Sequence, residues 1–278
     1  MRVGRIPYIN CYPVYGAVDR GIVPLAAELV DGVPTELNHL MASGLLDVSV
    51  ISAVEYARDA GRYLLLPDLA ISCDGPVRSV LLFSRRPVET LTNRRVLVSR
   101  SSMTSVALLR LLFEKVWNAD PTFVPADAEV SDLANAGHEA HEARLIIGDA
   151  ALVLSSGASE LAREYPHVYD LGAVWKEWTG LPFVFAVWVA QRSTPVADSL
   201  GVHAQLIASR DWGLAHLDQL AAQASAARSV RYAAALEYLS GLDYGLRYEH
   251  LAGLTTFFGK LAAGGRVPNG SLTFLPAA

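Results

Sequence analysis

Residues 4–15, GRIPYINCYPVY, carry a β-like run that stops at Asn10, Cys11, Tyr12 and Pro13 and restarts with helical spacing. In open α/β sheets, ligands sit beyond the carboxyl ends of strands, so this break places Asn10 where a ligand would be held. Its amide offers two donors and an acceptor, which suits a polar or anionic group. A cap on the helix opening near Pro13 uses the same residue without any ligand.

The surrounding pattern decides the fold. RVGRIPYI reads as a strand, YPVYGAVDRG as a short helix closing on glycine, and AAELVDG as a second strand. VPTELNHLMASG follows as a helix with Pro34 near its start, Thr35 available as a cap and Gly44 as its stop, and LDVSVISAVEYARDAG as strand then helix. This βαβαβ rhythm implies a mostly parallel sheet covered on both faces.

VRSVLLFSRRPVETL continues as a buried strand and a polar, proline-containing connection suited to a hinge. A second rhythm starts there: RRVLVSRSSMTSVALLRLLFEKVW is a strand, a serine-rich turn and a periodic helix, and TFVPAD, ARLIIGDAALVLS and HVYDLGAVWKEWTG add further strand material. From Thr194 to Ala263 the chain is rich in Ala and Leu, which reads as two or three helices broken near Gly241 to Gly245 and again near Gly253. The chain is therefore divided into one lobe of residues 1–87 with 182–278 and a second of residues 88–181, with a ligand cleft between them.

At 278 residues the chain can form one large unit or two lobes of roughly 100 to 150 residues. A hydrophobic fraction of 52% supplies a substantial core, while a net charge of -5 gives no basic field for a nucleic-acid backbone. The opening MRVGRIPYIN passes straight into a strand pattern with no secretory signature, and the apolar run LPFVFAVWVAQ is far short of the roughly 18 to 20 residues of a membrane span. A cytoplasmic protein without membrane or nucleic-acid partner is expected. The tail helices either cover a lobe or form a homodimer face. Cys11 and Cys73 lack CxxC spacing and read as small buried residues, with a reactive Cys11 beside the pocket as the alternative.

Further candidates lie at strand ends. Ser52 stands at a strand-to-helix junction, where a plain cap is the simpler role; Arg78 and Ser79 follow a Gly-Pro turn and face either cleft or solvent. In VSRSSMTSV a strand stops at a run of hydroxyls and a helix begins, so its free N–H groups, with Ser101, Ser102, Thr104 and Ser105 around Met103, suit a carboxylate or phosphate. Gly148 permits close backbone approach, and Asp149 accepts from a ligand hydroxyl or holds a turn. GHEAHEA contains His138, Glu139 and His141, but the histidines are three apart where a zincin helix needs four. No metal site, GxGxxG fingerprint, P-loop or G-x-S-x-G elbow is recognised.

Five segments in order, VGRIPYINCYPVY, ISAVEYA, DGPVRSVLLFS, SRSSMTSVALLRLL and LIIGDAAL, resemble the chorismate dehydratase family of the futalosine route to menaquinone, the MqnA family of the MqnA/MqnD superfamily. The likeness runs from about residue 3 to about residue 190 and is less diagnostic in the tail. It implies a two-lobed α/β fold of the type II periplasmic-binding-protein kind, turned to dehydration of chorismate without metal or organic cofactor. It also implies that Asn10 and Ser79 stand against the reacting part of the substrate and that the turn from Ser101 to Ser105 takes a carboxylate. The base is then the substrate's own enolpyruvyl carboxylate or an acidic side chain such as Asp149. The rivals are a small-anion-binding protein of the same fold and the sister 1,4-dihydroxy-6-naphthoate synthase type, MqnD.

Overall fold

The strand that opens the chain ends earlier than its sequence suggests. In the computed structural model, which describes residues 1–126, 140–156 and 163–276, β1 (Arg2–Arg5) stops at Arg5, and Ile9–Cys11 form a single 3₁₀ turn leading into α1 (Tyr12–Asp19). The cap position of α1 is Cys11, and no side chain caps it. Asn10 is therefore not a helix cap.

β2 (Glu28–Asp31), α2 (Pro34–Ala42), β3 (Val48–Ser52) and α3 (Ala53–Arg58) follow as the rhythm predicts, and β4 (Tyr63–Cys73) comes after them as a strand outside that reading. Thr35 does not cap α2: Val33 holds that position with no side-chain bond, and Pro34 supplies the helical φ instead. The chain then enters β5 (Val80–Ser84), β6 (Arg95–Ser99), α4 (Met103–Lys115), β7 (Thr122–Ala126), β8 (Ala143–Ile147), α5 (Gly148–Ser156), β9 (His167–Asp170) and α6 (Leu171–Thr179). It returns through β10 (Phe183–Gln191) and closes with α7 (Val196–Ala215), α8 (Leu217–Arg228), α9 (Tyr232–Gly241) and α10 (Tyr248–Ala263).

Two five-stranded sheets result, ordered β2-β1-β3-β10-β4 and β7-β6-β8-β5-β9. Neither is the mostly parallel sheet expected, for each has two parallel and two antiparallel pairings. β10 runs antiparallel to β3 and β4, and β5 antiparallel to β8 and β9. These are the strands that receive the chain as it crosses between sheets, so each enters in the reverse direction. β5, expected with the first lobe, pairs into the second sheet, so the first crossing lies between Cys73 and Val80 and not at residue 87.

Asp170, at the end of β9, holds that crossing. Its carboxylate accepts from the backbone N–H of Val77 (3.0 Å) and Arg78 (2.7 Å), and also caps α6 through Gly172 and Ala173. Arg78 has φ +61°, a costly conformation for a side chain with a Cβ, and this clamp sustains it.

The tail forms four helices among the described residues, where two or three were expected. Gly253 does not break the last one: it lies inside α10, where a Cβ would fall 2.1 Å from the carbonyl oxygen of Pro182. The missing side chain lets α10 sit directly on the return crossing. The tail thus buttresses both the hinge and the first sheet. One continuous apolar core runs through both sheets, with Trp175 and Trp188 fully buried in it.

Candidate functional site

The carboxyl ends of β1, β3, β6 and β8 converge on a cleft with about 620 Å³ of free space, part of it open to solvent. Ser79 stands at the entering end of antiparallel β5 and so reaches the same place, as do Phe185 and Ala186 of β10. The walls are mainly apolar, including Ile6, Ile71, Val77, Ile147 and Leu242. Among the described residues lining it, none is Asp, Glu, His, Lys or Arg.

Asn10, Ser52, Ser79, Ser102, Thr104, Ser105 and Gly148 all line this cleft. The Oδ1 atom of Asn10 is buried and has no hydrogen-bond partner among the described residues. A buried amide oxygen without a donor costs on the order of 1 to 3 kcal/mol unless a ligand satisfies it. Ser79 Oγ accepts from the hydroxyl of Tyr238 on α9 (2.8 Å), and its carbonyl accepts from the N–H of Gly148 (2.8 Å). Gly148 has φ +65°, and a Cβ there would meet the Tyr8 ring at 3.3 Å. Glycine thus lets the turn into α5 adopt that backbone and lie against the ring.

The serine-rich turn is largely self-bonded. Ser102 caps α4, accepting from the N–H of Ser105 (3.3 Å) and donating to its hydroxyl (2.8 Å), while Ser101 pairs with Ser99 (2.8 Å) outside the cleft lining. Thr104 Oγ1 accepts from the N–H of Val54 (3.2 Å), a bond between lobes. The first N–H groups of α4 have no intrahelical acceptor. Ser52 does not cap α3 with its side chain; instead Asn38 brackets it, donating to its hydroxyl (3.0 Å) and accepting from its N–H (3.0 Å).

Besides Ser101, three expected site residues lie beside the cleft and not in its lining. Met103 receives a contact from Asn38 Nδ2 (3.2 Å), and the Arg78 guanidinium donates to Glu237 (2.7 Å). Asp149 accepts from the N–H of Ile9 (3.0 Å) through one oxygen and faces Arg228 (3.6 Å) with the other. Burial holds the Asp149 carboxyl above its usual range, with the Ile9 bond and Arg228 opposing. From the second lobe it anchors the turn that presents Asn10. Cys11 is buried, which pushes its thiol well above the ordinary value, as does the nearby Asp149. That burial favours the thiol form and suits the small buried residue over the reactive one. His138 and Glu139 lie outside the described residues; His141 is buried and hydrogen-bonded to the Tyr165 hydroxyl (2.7 Å).

Sequence reasoning missed Tyr238, Asn38 and Leu242. Asn38 sits in an amphipathic helix among residues that look like ordinary surface polarity, and its burial follows only from the docking of α2 on β3. Tyr238 is one aromatic residue in an Ala-rich helix, and helical spacing alone does not aim it at Ser79.

A two-sheet architecture with antiparallel crossing strands and a cleft between lobes defines the class of periplasmic-binding-protein-like proteins. The fold matches the periplasmic aliphatic sulphonate binding protein SsuA from Escherichia coli at TM-score 0.63 and 15% identity, covering 99% of this chain and 95% of that one. Protein AF1704 from Archaeoglobus fulgidus matches at TM-score 0.76 and 19% identity, with 96% and 98% covered. Among curated proteins, a chorismate dehydratase of Thermus thermophilus is 32% identical over 268 residues, 90% of this chain and 94% of that protein. The profile of a menaquinone biosynthesis family matches residues 1–263. The chain belongs to that family.

Proposed function

We propose that this protein is a chorismate dehydratase, converting chorismate to 3-[(1-carboxyvinyl)oxy]benzoate and water in menaquinone biosynthesis, in the cytoplasm and without a cofactor. The observation that carries the reading is the cleft itself: an apolar chamber with neutral hydrogen-bonding groups and the unsatisfied acceptor of Asn10. Chorismate is a cyclohexadiene carrying a hydroxyl and two carboxylates, and its ring fits apolar walls while its oxygens require donors and acceptors.

The reaction removes a proton from the ring carbon bearing the enolpyruvyl ether and the hydroxyl from its neighbour. Aromatisation drives it, so the protein's task is to orient the ring and favour this loss over rearrangement. With no carboxylate, imidazole or amine side chain in the described lining, the substrate's own enolpyruvyl carboxylate is the base, and it returns the proton to the departing hydroxyl so that one water leaves. Asn10 and Ser79 hold the reacting edge, and the N-terminus of α4 with Ser102 and Ser105 takes a carboxylate. Incubating the purified protein with chorismate and a chelator, and weighing the product, tests this. An aromatic enolpyruvyl ether lighter by one water is expected. Chorismate consumed no faster than its spontaneous background would leave a binding protein of the same fold.

A further inference from the structure

Ser79 is held more firmly than a solvent-facing serine. The backbone ahead of it is fixed by the Asp170 bond to Arg78 N–H (2.7 Å), and its own carbonyl by Gly148 N–H (2.8 Å). What remains free is the rotation of its hydroxyl, and that is where Tyr238 acts. The Tyr238 hydroxyl, on a fully enclosed side chain of the tail, lies 2.8 Å from Ser79 Oγ. A serine hydroxyl has one proton and two acceptor sites. A neighbour that donates to it fills one acceptor site and leaves the proton for another partner.

We propose that Tyr238 is a positioning residue that fixes Ser79 as a hydrogen-bond donor toward the cleft. The inference rests on the dehydratase reading, in which Ser79 meets the substrate, and deepens it. Burial raises the Tyr238 phenol far above its ordinary value, so it keeps its proton, and the geometry of the pair has it donating to Ser79 Oγ. No described group accepts from Ser79 Oγ, so its proton has no competing destination on the protein among the described residues. The polarity is complementary to Asn10, whose buried Oδ1 needs a donor. One ligand hydroxyl can satisfy both, donating to Asn10 and accepting from Ser79. That is the arrangement a departing hydroxyl requires, because negative charge grows on the oxygen that Ser79 donates to.

A double-mutant cycle on chorismate turnover tests the assignment, with wild type, Tyr238→Phe, Ser79→Ala and the double variant. Tyr238→Phe is expected to lower kcat at least about tenfold with KM changed less than about threefold, because the contact matters most in the transition state. In the Ser79→Ala background the same change is expected to alter kcat less than about twofold. Losses that multiply, or full activity in Tyr238→Phe, overturn the proposal while leaving the dehydratase reading intact. A wild-type protein inert toward chorismate overturns the reading beneath it. Should Tyr238→Phe misfold, a difluorotyrosine at position 238 keeps the ring shape and strengthens the donor. It is expected to change kcat only when Ser79 is present, and an equal change in both backgrounds refutes the role.

Discussion

At Asn10, function and stability are expected to respond to substitution in opposite ways. Its buried Oδ1 has no partner among the described residues, so Asn10→Ala removes a desolvated acceptor and not a stabilising bond. The variant is expected to melt at or above the wild-type temperature while turnover falls about 10²-fold, the scale of loss when a reacting group is left misoriented. Thermal unfolding and chorismate kinetics on one preparation check both halves; a fall in stability with turnover intact would make Asn10 structural. Asp149 gives the opposite expectation. A general base typically contributes about 10² to 10⁴ in rate, but Asp149 lies outside the described lining and holds the Ile9 N–H. Asparagine retains that acceptor, so Asp149→Asn is expected to keep turnover within about threefold. A hundredfold loss would restore a side-chain base.

Elements carry the site through close approaches. Gly253→Ala in α10 would drive a Cβ to 2.1 Å from the Pro182 carbonyl, and the strain is expected to cost about 1 to 3 kcal/mol, read as a lowered midpoint in urea. The start of the same helix contains a pH-sensitive contact. His250 accepts from Arg247 N–H (3.1 Å) at Nδ1, which leaves Nε2 to donate to Asp243 (3.2 Å). That bond, with Gly245 N–H and nearby charges assisting against burial, holds the Asp243 carboxyl down at about 2. A depressed carboxyl stabilises the fold above its unfolded value and loses that contribution as pH falls from about 4 to about 2. Acid unfolding of Asp243→Asn is expected to show a weaker loss across that window, and an unchanged profile would remove Asp243 from the account. The β-α alternation, the hydroxyl turn at α4 and the place of Asn10 beyond the carboxyl end of the first strand were legible because spacing and turn chemistry are local. The reversed directions of β5 and β10 were not, because they follow from where the chain changes sheets. Gly253 read as a helix break for the same reason: only the packed structure brings Pro182 against it.

At the scale of the whole molecule, bonds from the second lobe to the first, Thr104 to Val54 and Asp149 to Ile9, tie the cleft shut. Polar bonds of this kind can break and re-form, so lobe opening is expected to admit substrate and closure to exclude water around it. Small-angle scattering is expected to show a more compact molecule with the product bound than without; equal radii would count against closure. The central claim is that this cleft removes a ring proton and its neighbouring hydroxyl from chorismate through the substrate's own carboxylate. The most direct test uses chorismate deuterated on the ring carbon that bears the enolpyruvyl ether, with the mass of the product followed over time. The account expects an aromatic product that has lost both one water and the deuterium, formed more slowly than from unlabelled chorismate. A product that keeps the deuterium, or chorismate merely bound and released unchanged, would contradict it.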